Sequence, residues 1–397
     1  MIIEKKQQIR RGLLCLLASI FVGGGLITTA MGLDGGYRNA VFVSNVEELY
    51  TAVNDPNNAG KTVVVAPGTY VLSAADADGT ARPNGGRLEL QENMSLTGRV
   101  FSRSGVTIDT SGLPASSLNA PGVNNTAPIR IGRGENSVER LAIIGNPAAQ
   151  ASIETDLVGV NIARIRVAHV TAHGSKRGVD VRSIGAVMSN RVIFAELIDN
   201  EFWDGFEGIR FVNTNGVNAG YITGTMTGNY VHDNENGCLV ENAKANFSWI
   251  SVRSVGDLSQ GNGAGCILGA ALATAGSANN NTTIFEAYGS RFIDNNGPFT
   301  FDRGGIVAFG AETPGLSFGG SNNRLVVRLW NCQLSGNQNS DLEAWGARAV
   351  GVPEGSVGTN NRTTIELQGS TRSVDRVVGE NSLPVEPAGT NSLTILR

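Results

Sequence analysis

Lysine, histidine and cysteine are scarce in this 397-residue sequence: there are three histidines and four cysteines, and beyond residue 11 only Lys61, Lys176 and Lys244. With so few thiols and imidazoles, in no metal-ligand spacing, a zinc-finger architecture and a disulfide framework are both excluded. Charged residues make up only 17% of the chain, and once residues 1–32 are set aside 27 Lys+Arg face 34 Asp+Glu, about −7. An acidic balance of that kind disfavours nucleic acid as a partner. Long helical periodicity is missing beyond the first third. What is abundant is glycine, 52 of 397 residues and roughly twice the usual ~7%, together with Asn, Thr and Val. Such a composition favours many short strands joined by tight turns.

The N-terminus reads as an export signal. Lys5, Lys6, Arg10 and Arg11 precede an apolar run from Gly12 to Thr29 that ends in small residues around Ala30 and Gly32. Residues 1–32 are therefore expected to be a signal peptide, or alternatively an uncleaved anchor, with no membrane insertion beyond them. The glycine triplet Gly23 to Gly25 counts against the anchor. An exported monomer is expected, at the cell surface, in the periplasm or outside the cell.

Residues 41–75 read as an N-terminal cap and first coil. Val41-Phe42-Val43 precedes Ser44 and Glu47 at capping-box spacing, and Val46, Leu49, Tyr50 and Val53 make one apolar helix face ending before Pro56. Strand, Pro-Gly turn and strand follow from Lys61 to Leu72. An amphipathic helix lying over the open edge of a first coil blocks edge-to-edge association. The stretch Val63-Val64-Val65-Ala66-Pro67-Gly68-Thr69-Tyr70 resembles the first coil of the right-handed parallel β-helix superfamily that includes pectin and pectate lyases. That resemblance implies an all-β solenoid over residues 33–397 and a polysaccharide as partner.

Internal repetition supports the same fold. An apolar anchor, a turn Asp or Asn, a glycine and a short apolar strand recur in Phe202-Trp203-Asp204-Gly205-Phe206-Glu207-Gly208-Ile209 and in Val231-His232-Asp233-Asn234-Glu235-Asn236-Gly237-Cys238. Looser copies set anchors at residues 170, 202, 231, 255, 292 and 334. Period-two alternation then predicts an interior column of Val179, Ile209, Cys238, Cys266, Ile306 and Leu342, with Asp180, Arg210, Leu239, Ile267, Val307 and Glu343 pointing outward. Cys238 and Cys266 become stacked neighbours, as buried thiols or a disulfide. Asn200, Asn229, Ser290 and Cys332 share another column, where stacked side chains can bond along the solenoid. Ala270 to Asn281 and Glu312 to Asn323 read as projecting loops.

Three constellations carry chemistry. Asp204 and Asp233, with Asp257 and Asp294, form a turn column able to offer oxygen ligands to Ca²⁺, although Asp before Asn or Gly is also an ordinary turn former. Arg164, Arg166, His169, His173, Lys176, Arg177 and Arg182 cluster within one coil beside Asp180. There His173, Lys176 and Arg177 are the catalytic candidates for proton abstraction from an acidic sugar. Arg164, Arg166, Arg210 and Trp203 are the substrate contacts. Glu196, Asp199, Glu201, Asp204 and Glu207 are dense enough for paired-acid hydrolysis. Trp203, Tyr230, Trp249 and Tyr288 are candidate stacking surfaces for sugars.

No WIDH string, no set of NTD, DD, GHG and RIK motifs and no Asp-Pro-His signature is present, so the resemblance transfers no catalytic residue. Two readings remain: a lyase-like protein acting on or binding an acidic polysaccharide, and a noncatalytic surface or envelope protein.

Overall fold

The computed structural model describes residues 39–99, 105–119, 126–157, 160–184, 190–214, 216–272, 278–297, 304–314, 320–338, 340–350, 358–369, 371, 376–381 and 391–396. The expected export signal lies outside them. Among the described residues no helix is long and apolar enough to cross a membrane.

One coil shows how the chain is built. Val192–Ile198 runs as a strand, Asp199 turns it with φ 49°, and Glu201–Trp203 forms a second strand. Asp204 turns it again with φ 56°, and Glu207–Thr214 forms a third. The next coil repeats the path in parallel register, pairing Val192 with Tyr221, Phe202 with Val231 and Ile209 with Cys238. Among the described residues, stacking of successive coils gives three parallel sheets of 12, 9 and 11 strands, here sheets 1, 2 and 3 in the order a coil visits them. Parallel connections of this type are right-handed. The unit is a right-handed parallel β-helix spanning Asn39–Arg397.

The two corners within this coil, like the third that leads to the next, require left-handed backbone. At the first, His169, Asp199, Gly228, Gly256, Gly289, Asn331 and Gly369 all have positive φ; at the second, Gly174, Asp204, Asp233, Gly261, Asp294 and Gly336 do. Asp, Asn and Gly tolerate that region best, which accounts for the recurring turn residue of the repeat.

Strand register corrects two anchors. Ala172, not Val170, pairs with Phe202, and Ser259, not Val255, pairs with Val231. The anchors are then 172, 202, 231, 259, 292 and 334, so the central coils have a nearly constant length. The predicted interior column holds throughout: Val179, Ile209, Cys238, Cys266, Ile306 and Leu342 are consecutive partners, and all are buried. Cys238, Cys266 and Cys332 are free thiols, and burial raises the pKa of Cys266 above the ordinary thiol range.

The outward column has the expected register, yet Leu239, Ile267 and Val307 are buried in a second apolar cluster with Ala264 and Phe309. The two expected loops begin as strand, since Ala270 to Leu272 ends Ala264–Leu272 and Glu312–Pro314 pairs with Arg348 to Val350.

A column of glycines explains the glycine of the repeat. A Cβ on Gly178, Gly208, Gly237 or Gly265 would meet the carbonyl oxygen of the glycine one coil on, at 2.7, 3.0, 2.5 and 2.4 Å respectively. Only hydrogen fits between coils at this bend.

Asparagine ladders run along three corners, where sequence inspection had found one. In the first, the backbone and side-chain N–H of Asn200 donate to Asn229 Oδ1 at 3.1 and 2.9 Å, and those of Asn229 donate to Asp257 Oδ1 at 2.7 and 2.8 Å. The second passes through Asn234, Asn262, Asn295 and Asn337, and the third through Asn281, Asn323 and Asn361. Each rung satisfies buried donors that the bend removes from the sheets.

Asp257 is the one charged rung among these. Burial pushes its carboxyl from the ordinary 3.8 up to about 6, against hydrogen bonds from Ser254 and Asn229 that lower it. A raised carboxyl pKa means the neutral form suits the fold, so stability is full below pH ~4 and is lost as pH rises through ~6. Asp257→Asn should therefore gain up to about 3 kcal/mol at pH 8 and nothing below pH ~4. Urea unfolding across that range measures it; an advantage that persisted at low pH would contradict a charged Asp257.

At the N-terminal end the helix Val46–Asn54 buries Leu49, Tyr50, Ala52 and Val53. Its N-cap is Asn45, whose side chain accepts from Glu48 N at 2.9 Å, and Glu48 accepts in return from Ser44. The box is displaced by one residue from the expected Ser44 and Glu47.

Candidate functional site

Because a coil bends at each corner, residues close in sequence are carried to different walls. Arg164 and Arg166 stand on the outer face of sheet 1, beside a depression of about 350 Å³ that Glu135, Glu139, Phe194 and Glu196 also line. Arg166 pairs there with Glu139 at 3.2 Å and Glu196 at 2.9 Å, while Arg164 lies 4.5 Å over the Phe194 ring. His173 and Trp203 stand on sheet 2. Lys176 is exposed in the turn after it, where its carbonyl accepts from Phe206 N and Glu207 N. Arg177 and Arg210 belong to sheet 3, with Asp180 and Arg182. The predicted seven-residue cluster is thus spread over three faces and does not converge on one substrate.

The aromatic residues of sheet 2 form a stack along the solenoid. His173 lies 4.7 Å from Trp203 at 18°, and His232 lies 5.7 Å from Trp203 at 6° on the other side. Both faces of the Trp203 ring are covered, so it offers a sugar only its edge. Tyr230 likewise stacks on His232 at 4.2 Å. His169 occupies a left-handed turn position beside Asp199. Asp204 and Asp233 fill the second turn column, whereas Asp257 belongs to the first ladder. The Asp233 carboxylate is engaged by His232 Nδ1 at 2.7 Å. Among the described residues no group of three or more His, Cys, Asp or Glu is placed to hold a metal ion.

The concentration of chemistry is on sheet 3. Its outward row runs Glu89, Arg130, Glu154, Asp180, Arg210 on five successive strands. Outward side chains of a sheet are ordinarily solvated, yet Glu154 and Asp180 are fully buried and Glu89 and Arg130 nearly so. Arg130 bridges Glu89 and Asp156, Arg182 pairs with Glu154, and Arg177 pairs with Glu207. Uncompensated charges could not remain there.

Two features go beyond compensation. Thr126 Oγ1 lies 2.7 Å from Glu154 Oε2 and 2.5 Å from Asp156 Oδ2. A hydroxyl has one hydrogen, so it satisfies two carboxylates only if one of them carries a proton and donates back. Burial and the Asp156 charge accordingly push the Glu154 carboxyl up to about 8, with Arg182 acting against them. The Glu154–Asp156 pair therefore holds one proton at neutral pH. The second feature is Asp180, neither of whose oxygens accepts a hydrogen bond. Its nearest guanidinium nitrogens are Arg210 Nη1 at 3.7 Å and Arg182 Nε at 3.8 Å. A buried carboxyl with bare oxygens, one strand from the Glu154–Asp156 pair and flanked by arginines, is an acid–base arrangement.

Sequence reasoning found Asp180 and Arg210 as outward residues but missed Thr126, Arg130, Glu154 and Asp156. The strands carrying Arg130 and Glu154, Ile129–Arg130 and Ile153–Glu154, are two residues long and show no alternation to read, and Thr126 and Asp156 lie outside any strand.

Fold and wall together define a β-helix protein with a buried charged face. Among solved structures the chain is similar to the A-module of mannuronan C-5 epimerase AlgE4 from Azotobacter vinelandii, at 15% identity over 91% of this chain and 96% of that one, with a TM-score of 0.47. It is also similar to the AlgE6 A-module of the same organism (14% identity, 91% and 96% covered, TM-score 0.42) and to pectate lyase Pel9A (11% identity, 89% and 82% covered, TM-score 0.38). No family model and no curated protein matches the chain.

Proposed function

We propose that the protein is exported and acts on an acidic polysaccharide by lyase-like elimination at the charged wall of sheet 3. The observation that carries this is the proton-holding Glu154–Asp156 pair beside the bare carboxylate of Asp180. In a uronate chain, Asp180 takes the ring proton next to the sugar carboxylate. The electrons left behind form a ring double bond, and the bond to the leaving glycosidic oxygen breaks. Glu154 returns a proton to that oxygen, and Arg210, more exposed than Arg130 and Arg182, neutralises the sugar carboxylate.

The test is incubation with a panel of uronate polymers, following absorbance of the new unsaturated ends. Asp180→Asn should lower turnover by about 100-fold in protein that circular dichroism shows to be folded, since Arg210 also loses its ion-pair partner. Lys176→Ala, in an exposed turn, should leave turnover unchanged. The burial and near-complete ion pairing of the wall favour a second reading, a noncatalytic solenoid whose charges only hold the face together. Absence of both product and binding across the panel would decide for it.

A further inference from the structure

Sheet 1 carries a different kind of surface. One outward row along it is Ile162, Val192, Tyr221, Trp249, Thr282, Arg324 and Arg362, each the register partner of the next. Ile162 is 52% exposed, Tyr221 46% and Trp249 39%. Large apolar side chains on three of four successive strands are unusual on an outward face, where polar residues ordinarily stand.

The rings differ from the other aromatic columns. Trp203 is sandwiched between imidazoles, and Tyr288 stacks on Trp330 at 4.6 Å. Tyr221 and Trp249, although on adjacent strands, stack on no ring among the described residues. At the far end of the row Arg324 and Arg362 are direct register partners and both are exposed. Like charges placed opposite each other cost stability. Neither has a carboxylate within ion-pair distance among the described residues, whereas Arg328 on the same strand is held by Glu286 and Glu366.

We propose that this row is a second binding track, distinct from the charged wall, for a linear anionic polysaccharide. Tyr221 and Trp249 would stack on sugar rings, and Arg324 and Arg362 would hold carboxylates two and three strands further on, about 10 and 14 Å away at the strand spacing. The occupant follows from the shape. The row is flanked by Thr223 and Ser251 on one side, and on the other Phe247, 60% exposed, stands beside Trp249, so exposed rings and hydroxyl side chains lie next to each other along the solenoid. A sugar chain, apolar on its ring faces and hydroxylated at its edges, fits exposed rings edged by hydroxyl side chains, and the two arginines select an acidic one. The inference shares with the proposed function only the class of ligand and does not require the charged wall to be catalytic.

The test uses the full chain, with polygalacturonate as probe and dextran as the neutral control. Tyr221→Ala combined with Trp249→Ala should weaken polygalacturonate binding about tenfold or more with the melting temperature unchanged, since both residues are exposed. Arg324→Ala combined with Arg362→Ala should weaken it and flatten its salt dependence, and dextran should bind weakly at best. Turnover of a short uronate oligomer should be unaffected by either double variant. Undiminished polymer binding in the aromatic variant overturns the track while leaving the charged wall intact. Loss of turnover in Asp180→Asn with polymer binding retained supports both sites separately. A wild-type protein that binds no uronate polymer overturns both, and a variant that turns a dimer into a monomer assigns the row to a second copy of the chain and overturns the track.

Discussion

Gly265→Ala should lower the stability of the solenoid by about 3 kcal/mol or more, or prevent its folding. The added Cβ would lie 2.4 Å from the carbonyl oxygen of Gly305 and 2.8 Å from Asn295 Nδ2. The first of these is backbone, fixed by its own pairing to the following coil, so it cannot rotate away. Relief requires the two coils to separate, which breaks hydrogen bonds on both sides of the corner. Gly256 supplies the control, because its left-handed φ of 64° faces open space. Alanine there pays only the backbone strain, about 1 kcal/mol, and asparagine should cost less, as Asn331 holds the same turn position. Urea denaturation of the three variants ranks them. A Gly265→Ala protein no less stable than Gly256→Ala would remove close coil approach as the reason for the glycine column.

That column also shows what the sequence could disclose. A glycine following a turn residue at each repeat was visible, and with it the register that stacks Cys238 on Cys266. Visibility failed where chemistry and hydrophobicity part. The anchor of one coil is Ser259, a polar residue that hydrogen-bonds Gly265 O inside the corner, so an apolar pattern passes over it to Val255 on another sheet. Ala172 lost to Val170 for a similar reason, since the smaller side chain carries less signal than its β-branched neighbour. Only one asparagine ladder was legible because members of the second lie next to Gly or Asp and each member of the third follows another Asn, where asparagine already has a local explanation as a turn former. The charged wall was the least legible feature. Glu154 and Asp180 meet because separate coils stack, and their separation in sequence is set by coil length, which no motif encodes.

Asn262→Ala should cost about 3–5 kcal/mol, the second of the two largest effects. Its Oδ1 accepts from Asn234 N at 3.0 Å and Asn234 Nδ2 at 3.2 Å, and its Nδ2 donates to Val231 O at 3.0 Å and Asn295 Oδ1 at 3.1 Å. All of these groups are buried, so truncation strands a backbone N–H and a carbonyl together, besides leaving a void in a corner without solvent. Asn262→Asp separates the two halves of that loss. The acceptor survives, but a second carboxylate oxygen now faces the Val231 carbonyl where the amide donated. The first ladder tolerates Asp257 at the matching point because Ser254 Oγ donates to its Oδ2 at 2.5 Å. Asn262 has Ser259 nearby, but that hydroxyl already donates to Gly265 O at 2.8 Å. Asn262→Asp should therefore be strongly destabilised at pH 8 and recover much of the loss near pH 4, where a protonated acid can donate as the amide does. Unfolding midpoints at the two pH values measure it. Equal destabilisation at both would mean the donor half of the rung contributes nothing, and the ladder would then act only by accepting from backbone N–H groups.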